Sequence, residues 1–138
     1  MKILVAVEDS LYSTKALEYA VGVAKKEGAD LTAVSIAELM VGMVEVFPDA
    51  SVEEALLKHA AMTAERAKEY ASGKGVALKT VIESSASAAE SILETAEKLG
   101  ADLIVLGSRG KKGVERFLLG SVATKVAAHA RCSVLIVR

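Results

Sequence analysis

Three glycines at equal spacing, Gly107, Gly110 and Gly113, follow a short apolar run in this 138-residue chain. Gly120-Ser121 comes next and opens a helical pattern. Glycine lets a backbone approach a ligand closely, and a helix start offers unpaired N–H groups and a positive dipole end. The same loop carries three cations, Arg109, Lys111 and Lys112. These residue types at this spacing predict a loop that holds a phosphate group.

The two best-known phosphate motifs do not occur in the chain. The loop lacks the Gly-Lys-Ser or Gly-Lys-Thr ending of a Walker A sequence, and no G-x-G-x-x-G fingerprint of dinucleotide-binding proteins is present. Residue types alone therefore leave a second interpretation open. In that interpretation the glycines only turn the chain and the cations only face solvent.

Short apolar runs that alternate with helical patterns must position this loop. The predicted strands are Lys2–Val7, Leu31–Ile36, Ala77–Glu83, Asp102–Leu106 and Ser133–Val137. The predicted helices begin at Ser10 or Ser13, at Ser51, at Ser87 and after Gly120. Gly28 and Gly100 are predicted to end two of them, and Val122, Val126 and Ala130 to face inward on the last. Strict alternation predicts an α/β fold with one open, mostly parallel sheet and helices on both faces. In such sheets ligands bind beyond the carboxyl ends of the strands, where the strand order reverses.

Composition narrows the class of protein. The length fits a single domain spanning residues 1–138, and 52% hydrophobic residues with only 4% aromatic predict an aliphatic core. A net charge of −1 gives no reason to expect nucleic acid or an anionic membrane as partner. The single cysteine, Cys132, excludes an internal disulfide and is predicted to be an inert thiol beside a strand. The chain begins directly with a strand and has no apolar run long enough to span a membrane, so we expect a cytoplasmic protein.

Four separate segments together resemble the universal stress protein family. The pattern Gly107-x2-Gly110-x9-Gly120-Ser121 is similar to the family's nucleotide-binding motif. MKILVAVEDSLYSTKALEYA resembles its opening strand, turn and helix; GADLIVLGSRG resembles its fourth strand and loop; ARCSVLIVR resembles its closing strand. The resemblance implies a Rossmann-like fold of the adenine nucleotide alpha hydrolase type, with strand order 3-2-1-4-5. It also implies a homodimeric stress-response switch that binds ATP, ADP or AMP.

The resemblance also implies which residues contact the nucleotide. They are Ala6, Val7, Glu8, Ile36, Leu106, Gly107, Ser108, Arg109, Gly110, Gly120, Ser121 and Val122. Ser35 is expected beside Ile36 at the adenine. This chain departs from the family at Glu8-Asp9, where Asp-Gly is common, and a second carboxylate would repel phosphates unless cations offset it. No metal site made by protein side chains alone is expected, although Mg²⁺ could reach the phosphates near Glu8.

The last strand, Ser133–Val137, is apolar and lies at a sheet edge in the expected order. An exposed apolar edge needs a cover, and the family supplies one by pairing this strand with a second copy. We therefore expect a homodimer through Ser133–Val137.

Catalysis is not expected beyond slow ATP hydrolysis at most, since His59 and His129 fall inside predicted helices. Another interpretation is a nucleotide-independent scaffold that binds an unidentified protein through the apolar segment Leu39–Phe47 and the dimer surface. A flavin carrier is a third, disfavoured by the few aromatic residues. The change Gly120→Val is predicted to block phosphate approach and to leave the fold intact.

Overall fold

The computed structural model of the chain describes residues 1–39, 50–110 and 118–138. Its strands are β1 (Lys2–Val7), β2 (Asp30–Glu38), β3 (Leu78–Ser85), β4 (Leu103–Gly107) and β5 (Ser133–Val137). Its helices are α1 (Leu11–Glu27), α2 (Ser51–Gly73), α3 (Ala88–Leu99) and α4 (Ser121–His129). The predicted alternation of strands and helices is confirmed.

One parallel sheet runs through the molecule in the order β3-β2-β1-β4-β5, as expected. β1 lies at its centre and pairs with β2 through Lys2 opposite Asp30 and with β4 through Ile3 opposite Leu103. From β1 the chain adds β2 and β3 on one side of the sheet and then β4 and β5 on the other. The direction in which strands are added therefore reverses between β1 and β4. The carboxyl ends of β1 and β4 therefore flank a crevice.

The two faces of the sheet are covered by different helix pairs. Ile3, Val5 and Val7 of β1 pack with α1 and α2, whereas Leu4 packs with α3 and α4. This division follows from the two-residue period of a strand, which sends successive side chains to opposite faces. Many of the buried helix residues are alanines, which let the helices approach the sheet closely, and most of the buried core side chains are aliphatic.

Helix ends follow the sequence signals with one exception. Gly28 and Gly100 end α1 and α3 in the left-handed conformation, with φ of 65° and 66°. Ser10 caps α1, and Ser87 caps α3 by accepting a hydrogen bond from Glu90 N. The prediction that Ser51 caps α2 is wrong: α2 begins at Ser51 itself, and Ala50 occupies the cap position.

Some predicted boundaries and faces shift. β2 runs to Glu38, two residues beyond the prediction, because it stays paired with β3 up to Ser85. On α4 the buried residues are Ala123 and Val126. Val122 and Ala130, which were predicted to face inward, are only partly buried and pack at the margin of the core.

Two sequence predictions fall on residues outside the described ranges. Most of the apolar segment Leu39–Phe47 belongs to 40–49, and Lys111, Lys112 and Gly113 belong to 111–117. Within the described residues, no helix combines the length and apolar character needed to cross a membrane.

Candidate functional site

A cavity of about 360 Å³ opens at the carboxyl ends of β1 and β4. All twelve residues expected at a nucleotide site line it, from the ends of β1 and β2, the β4 loop and the start of α4. Six further residues complete the lining: Ser13, Val34, Glu38, Ala88, Ile92 and Ala123. Its volume lies in the range typical of small-molecule pockets, about 300–1,000 Å³.

One wall of the cavity is apolar and comes from β2 and α3. Val34 and Ile36 of β2 face Ala88 and Ile92 of α3. The expectation that Ser35 lies with Ile36 is wrong, since Ser35 points to the opposite face of the sheet. Its buried hydroxyl donates a hydrogen bond of 2.8 Å to the Ala60 carbonyl of α2. The two-residue period of the strand would have selected Val34, Ile36 and Glu38 instead.

The other wall is the loop that leaves β4, and its hydrogen bonds tie it to two elements. Ser108 N donates to the Val137 carbonyl at 2.8 Å, and Gly120 N donates to the Ser108 carbonyl at 2.7 Å. These N–H groups are thus used within the protein and are not available to a ligand. The loop is held in shape by the end of β5 on one side and the start of α4 on the other.

The start of α4 still presents backbone donors. Its first intrahelical bond runs from Thr124 N to the Gly120 carbonyl at 3.0 Å. Ser121, Val122 and Ala123 therefore have no N–H acceptor within the helix, as is general for a helix start. All three line the cavity, so the positive end of the helix dipole faces it.

Gly120 lines the cavity, but the loop backbone lies where its side chain would be. A Cβ at this position would lie 3.2 Å from the Ser108 carbonyl oxygen and 3.4 Å from Arg109 Cα. A valine would press on the loop backbone itself. Gly120→Val is therefore expected to strain the loop as well as the phosphate site, so this variant does not separate ligand binding from loop structure.

The acidic turn after β1 reaches across the crevice. Glu8 N donates to Ser13 Oγ at 2.8 Å, and Glu8 Oε1 accepts from Ser10 Oγ at 3.1 Å. A Cβ on Gly110 would lie 3.3 Å from Glu8 Oε1, so the carboxylate sits against the loop of β4. The acidic turn and the glycine loop thus meet at the cavity. Asp9 instead faces His59 of α2, with 3.9 Å between Oδ2 and Nε2.

Arg109 extends from the loop toward α1. Its Nη1 donates a hydrogen bond of 2.8 Å to the Tyr12 hydroxyl, and its Cζ lies 5.4 Å from the centroid of the Tyr12 ring. This is the geometry of a cation–π contact combined with a hydrogen bond. No pattern in the sequence connects these two residues, which are 97 positions apart.

The remaining candidate residues lie away from the cavity. Cys132 is a free, partly buried cysteine, and burial raises the pKa of its thiol, which favours the unreactive protonated form. His129 is exposed at the end of α4. Over the three described ranges, no three His, Cys, Asp or Glu side chains are grouped so as to hold a metal ion.

Comparison with known proteins fits this geometry. A model of the universal stress protein family matches residues 1–138. The chain belongs to the universal stress protein family. Universal stress protein YxiE of Bacillus subtilis is 40% identical to it, over 99% of this chain and 98% of that protein.

Solved universal stress proteins share the fold. UspA from Lactobacillus plantarum is 27% identical, with a TM-score of 0.81 over 100% of this chain and 97% of that one. A universal stress protein from Archaeoglobus fulgidus in complex with dAMP is 21% identical, with a TM-score of 0.76 over 100% and 98%. A universal stress protein in complex with cAMP is 24% identical, with a TM-score of 0.74 over 100% and 97%. The similarity to the two nucleotide complexes shows that this chain shares their fold.

Proposed function

We propose that this universal stress protein binds an adenine nucleotide in the cavity between β1 and β4. The observation that carries the proposal is one cavity in which an apolar wall faces a helix start and a glycine loop. That combination suits a ligand with a flat apolar end and an anionic end. Relatives of the same fold are known in complexes with dAMP and cAMP, which supports an adenine ligand.

The residues fit the two ends of such a ligand in different ways. The base would lie on Ile36 and Val34, opposite Ala88 and Ile92. The phosphates would accept hydrogen bonds from the N–H groups of Ser121, Val122 and Ala123 and from the Ser121 hydroxyl. Glu8 lies next to the loop, so its charge disfavours free polyphosphates and favours ATP as a magnesium complex.

The nucleotide would act as a signal rather than as a substrate. We propose a homodimer, joined through β5, whose partner interactions in stress respond to the bound nucleotide. β5 supports this arrangement because it ends the sheet, and Val134–Val137 remain only partly buried in one copy. An apolar edge strand of this kind is suited to pairing with a second sheet.

The test is release and titration of nucleotide on one purified batch. Mass spectrometry of the denatured protein should detect adenine nucleotide near one per chain, or calorimetry should show saturable binding of ATP with magnesium, ADP or AMP. A preparation that contains no nucleotide and gives no binding heat with any of the three would contradict the proposal.

A matched pair of variants locates the site. Ala88→Leu places a larger side chain on the apolar wall and should weaken nucleotide binding by about tenfold or more, because the base loses its space. Ala86→Leu makes the same change two residues earlier at an exposed position and should bind as the unmodified protein does. If both variants bind the nucleotide equally well, the nucleotide does not bind against Ala88 and the assigned site is wrong.

A further inference from the structure

Tyr12 does not line the cavity but touches the loop that forms one of its walls. The backbone of Gly107 packs directly on it, since a Cβ at Gly107 would lie 2.8 Å from Tyr12 Cβ and 2.9 Å from its carbonyl carbon. Two residues further along the loop, the Arg109 guanidinium is hydrogen-bonded to the Tyr12 hydroxyl. Tyr12 therefore contacts the loop at Gly107, where the loop begins, and again at Arg109.

The helix that carries Tyr12 is well fixed at this end. Ser10 caps α1 by accepting a hydrogen bond from Ser13 N at 3.1 Å. The Ser13 hydroxyl, buried in turn, accepts from Glu8 N. The first turn of α1 is thus joined to the end of β1, and Tyr12 is a rigid support with two rotatable side-chain bonds.

The Arg109 side chain, unlike that of Tyr12, is long and flexible. It loses much conformational freedom when it is held in one place, and its planar group forms directional hydrogen bonds. A phenol hydroxyl and a ring face on one side restrict that freedom before any ligand arrives. The positive charge and the backbone of the loop are then already arranged when an anion enters.

We propose that Tyr12 is a positioning residue for the phosphate end of the nucleotide site and acts through Arg109. The inference rests on the proposed function. It predicts that the tyrosine hydroxyl matters for ligands that carry phosphate and not for the nucleoside, because Arg109 belongs to the glycine loop, whereas the apolar wall for the base comes from β2 and α3.

Tyr12→Phe tests this by removing only the hydroxyl. Calorimetric titration with AMP and with adenosine should show the dissociation constant for AMP rising by about fivefold to tenfold, the size expected for the loss of one hydrogen bond. The constant for adenosine should stay unchanged. Equal weakening of both ligands would indicate a general structural role and overturn the inference, as would unchanged AMP binding.

A double-mutant cycle tests whether the effect passes through Arg109. In an Arg109→Gln background, Tyr12→Phe should cause no further loss of AMP affinity, because the hydrogen-bonded charge is already gone. A loss of the same size in both backgrounds would show that the two residues act independently, which contradicts the inference.

Tyr70→Phe is the matched control. Tyr70 of α2 also carries a cation over its ring, Lys74 at 5.8 Å, but at the opposite end of the sheet from the cavity. This variant should bind AMP as the unmodified protein does. Failure of the unmodified protein to bind ATP with magnesium, ADP or AMP would overturn the proposed function together with this inference; if only ATP or ADP binds, that nucleotide replaces AMP in the titrations. Normal binding of both by Tyr12→Phe would overturn this inference alone.

Discussion

Gly107 shows how a single residue fixes the geometry of the cavity. Its φ is not in the left-handed region, so its role is not conformational freedom. It is glycine because Tyr12 occupies the space that a side chain would need. The end of β4 can therefore lie flat against α1, and the loop turns into the crevice from that point.

Gly107→Ala should destabilise the protein by about 1–3 kcal/mol, because the added methyl overlaps backbone atoms of Tyr12 that cannot rotate away. Chemical denaturation with urea measures the change. Gly22→Ala is the matched control: Gly22 lies inside α1, and apart from its chain neighbours and the adjoining backbone of α1 no heavy atom lies within 4 Å of an added Cβ. That change should stabilise by about 0.5–1 kcal/mol, and a similar stability for both variants would contradict the packing argument.

For single residues, the sequence predicted which ones lie together at the cavity but not the contacts that each one makes. The glycine spacing and the family resemblance selected twelve of the eighteen residues that line the cavity. The spacing could not reveal that Gly120 N–H is bonded within the loop, or that Tyr12 supports Arg109. Contacts between distant parts of a chain depend on the folded backbone, and residue types alone do not specify it.

Among the elements, α3 illustrates how a cavity wall is held. Ser87 accepts a hydrogen bond from Glu90 N at 3.3 Å, and its own N–H donates to Ser85 Oγ at 3.1 Å. The Glu90 carboxylate does not complete a capping box but binds Lys125 of α4 at 3.2 Å. The cap and this ion pair fix α3 relative to β3 and α4, which together frame the cavity.

Ser87→Ala should lower the free energy of unfolding by about 1 kcal/mol, since the first turn of α3 loses its side-chain acceptor. Thermal or urea unfolding followed by circular dichroism measures it. Ser72→Ala, at an exposed position near the end of α2, is the control and should change stability by less than about 0.5 kcal/mol. Equal small effects would mean that the cap is not needed.

The helices and strands were predicted more accurately than the contacts of single residues, and the errors lie at the ends of these elements. The helical spacing of apolar residues and the glycines that end the helices identified α1 and α3 correctly. The misplaced cap of α2 arose because Ser51 fits a capping pattern, whereas the backbone at Ala50 is already helical, with φ of −73° and ψ of −2°. Side-chain patterns do not determine where the first helical backbone angle occurs.

For the molecule as a whole, the sheet order decides which surfaces remain open. β3 and β5 are its two edges. β3 exposes Lys79, Thr80 and Ile82 and ends in the partly buried polar residues Glu83–Ser85, whereas Val134–Val137 of β5 are all partly buried and apolar. The edges therefore differ in chemistry, and the apolar one is suited to association. The order itself came from the family resemblance, because alternation alone also permits other doubly wound arrangements.

Leu135→Lys should convert the proposed dimer into a monomer, because a charge on β5 opposes pairing of two apolar edges. Analytical ultracentrifugation at micromolar concentration measures the mass. Thr80→Lys places the same charge on the exposed face of the opposite edge strand and should leave the dimer intact. A monomeric unmodified protein, or loss of the dimer in both variants, would contradict the assignment of β5.

The central position of β1 has a consequence for how the chain is made. β1 is synthesised before the other four described strands, yet its second neighbour follows about 100 residues later, where Asp102 N donates to the Lys2 carbonyl and Asp102 Oδ2 accepts from Lys2 N. While a ribosome is still adding the intervening helices, one side of this apolar strand has no partner and is open to pairing with other chains. The nascent protein passes out of that vulnerable interval only when Leu103–Gly107 emerges.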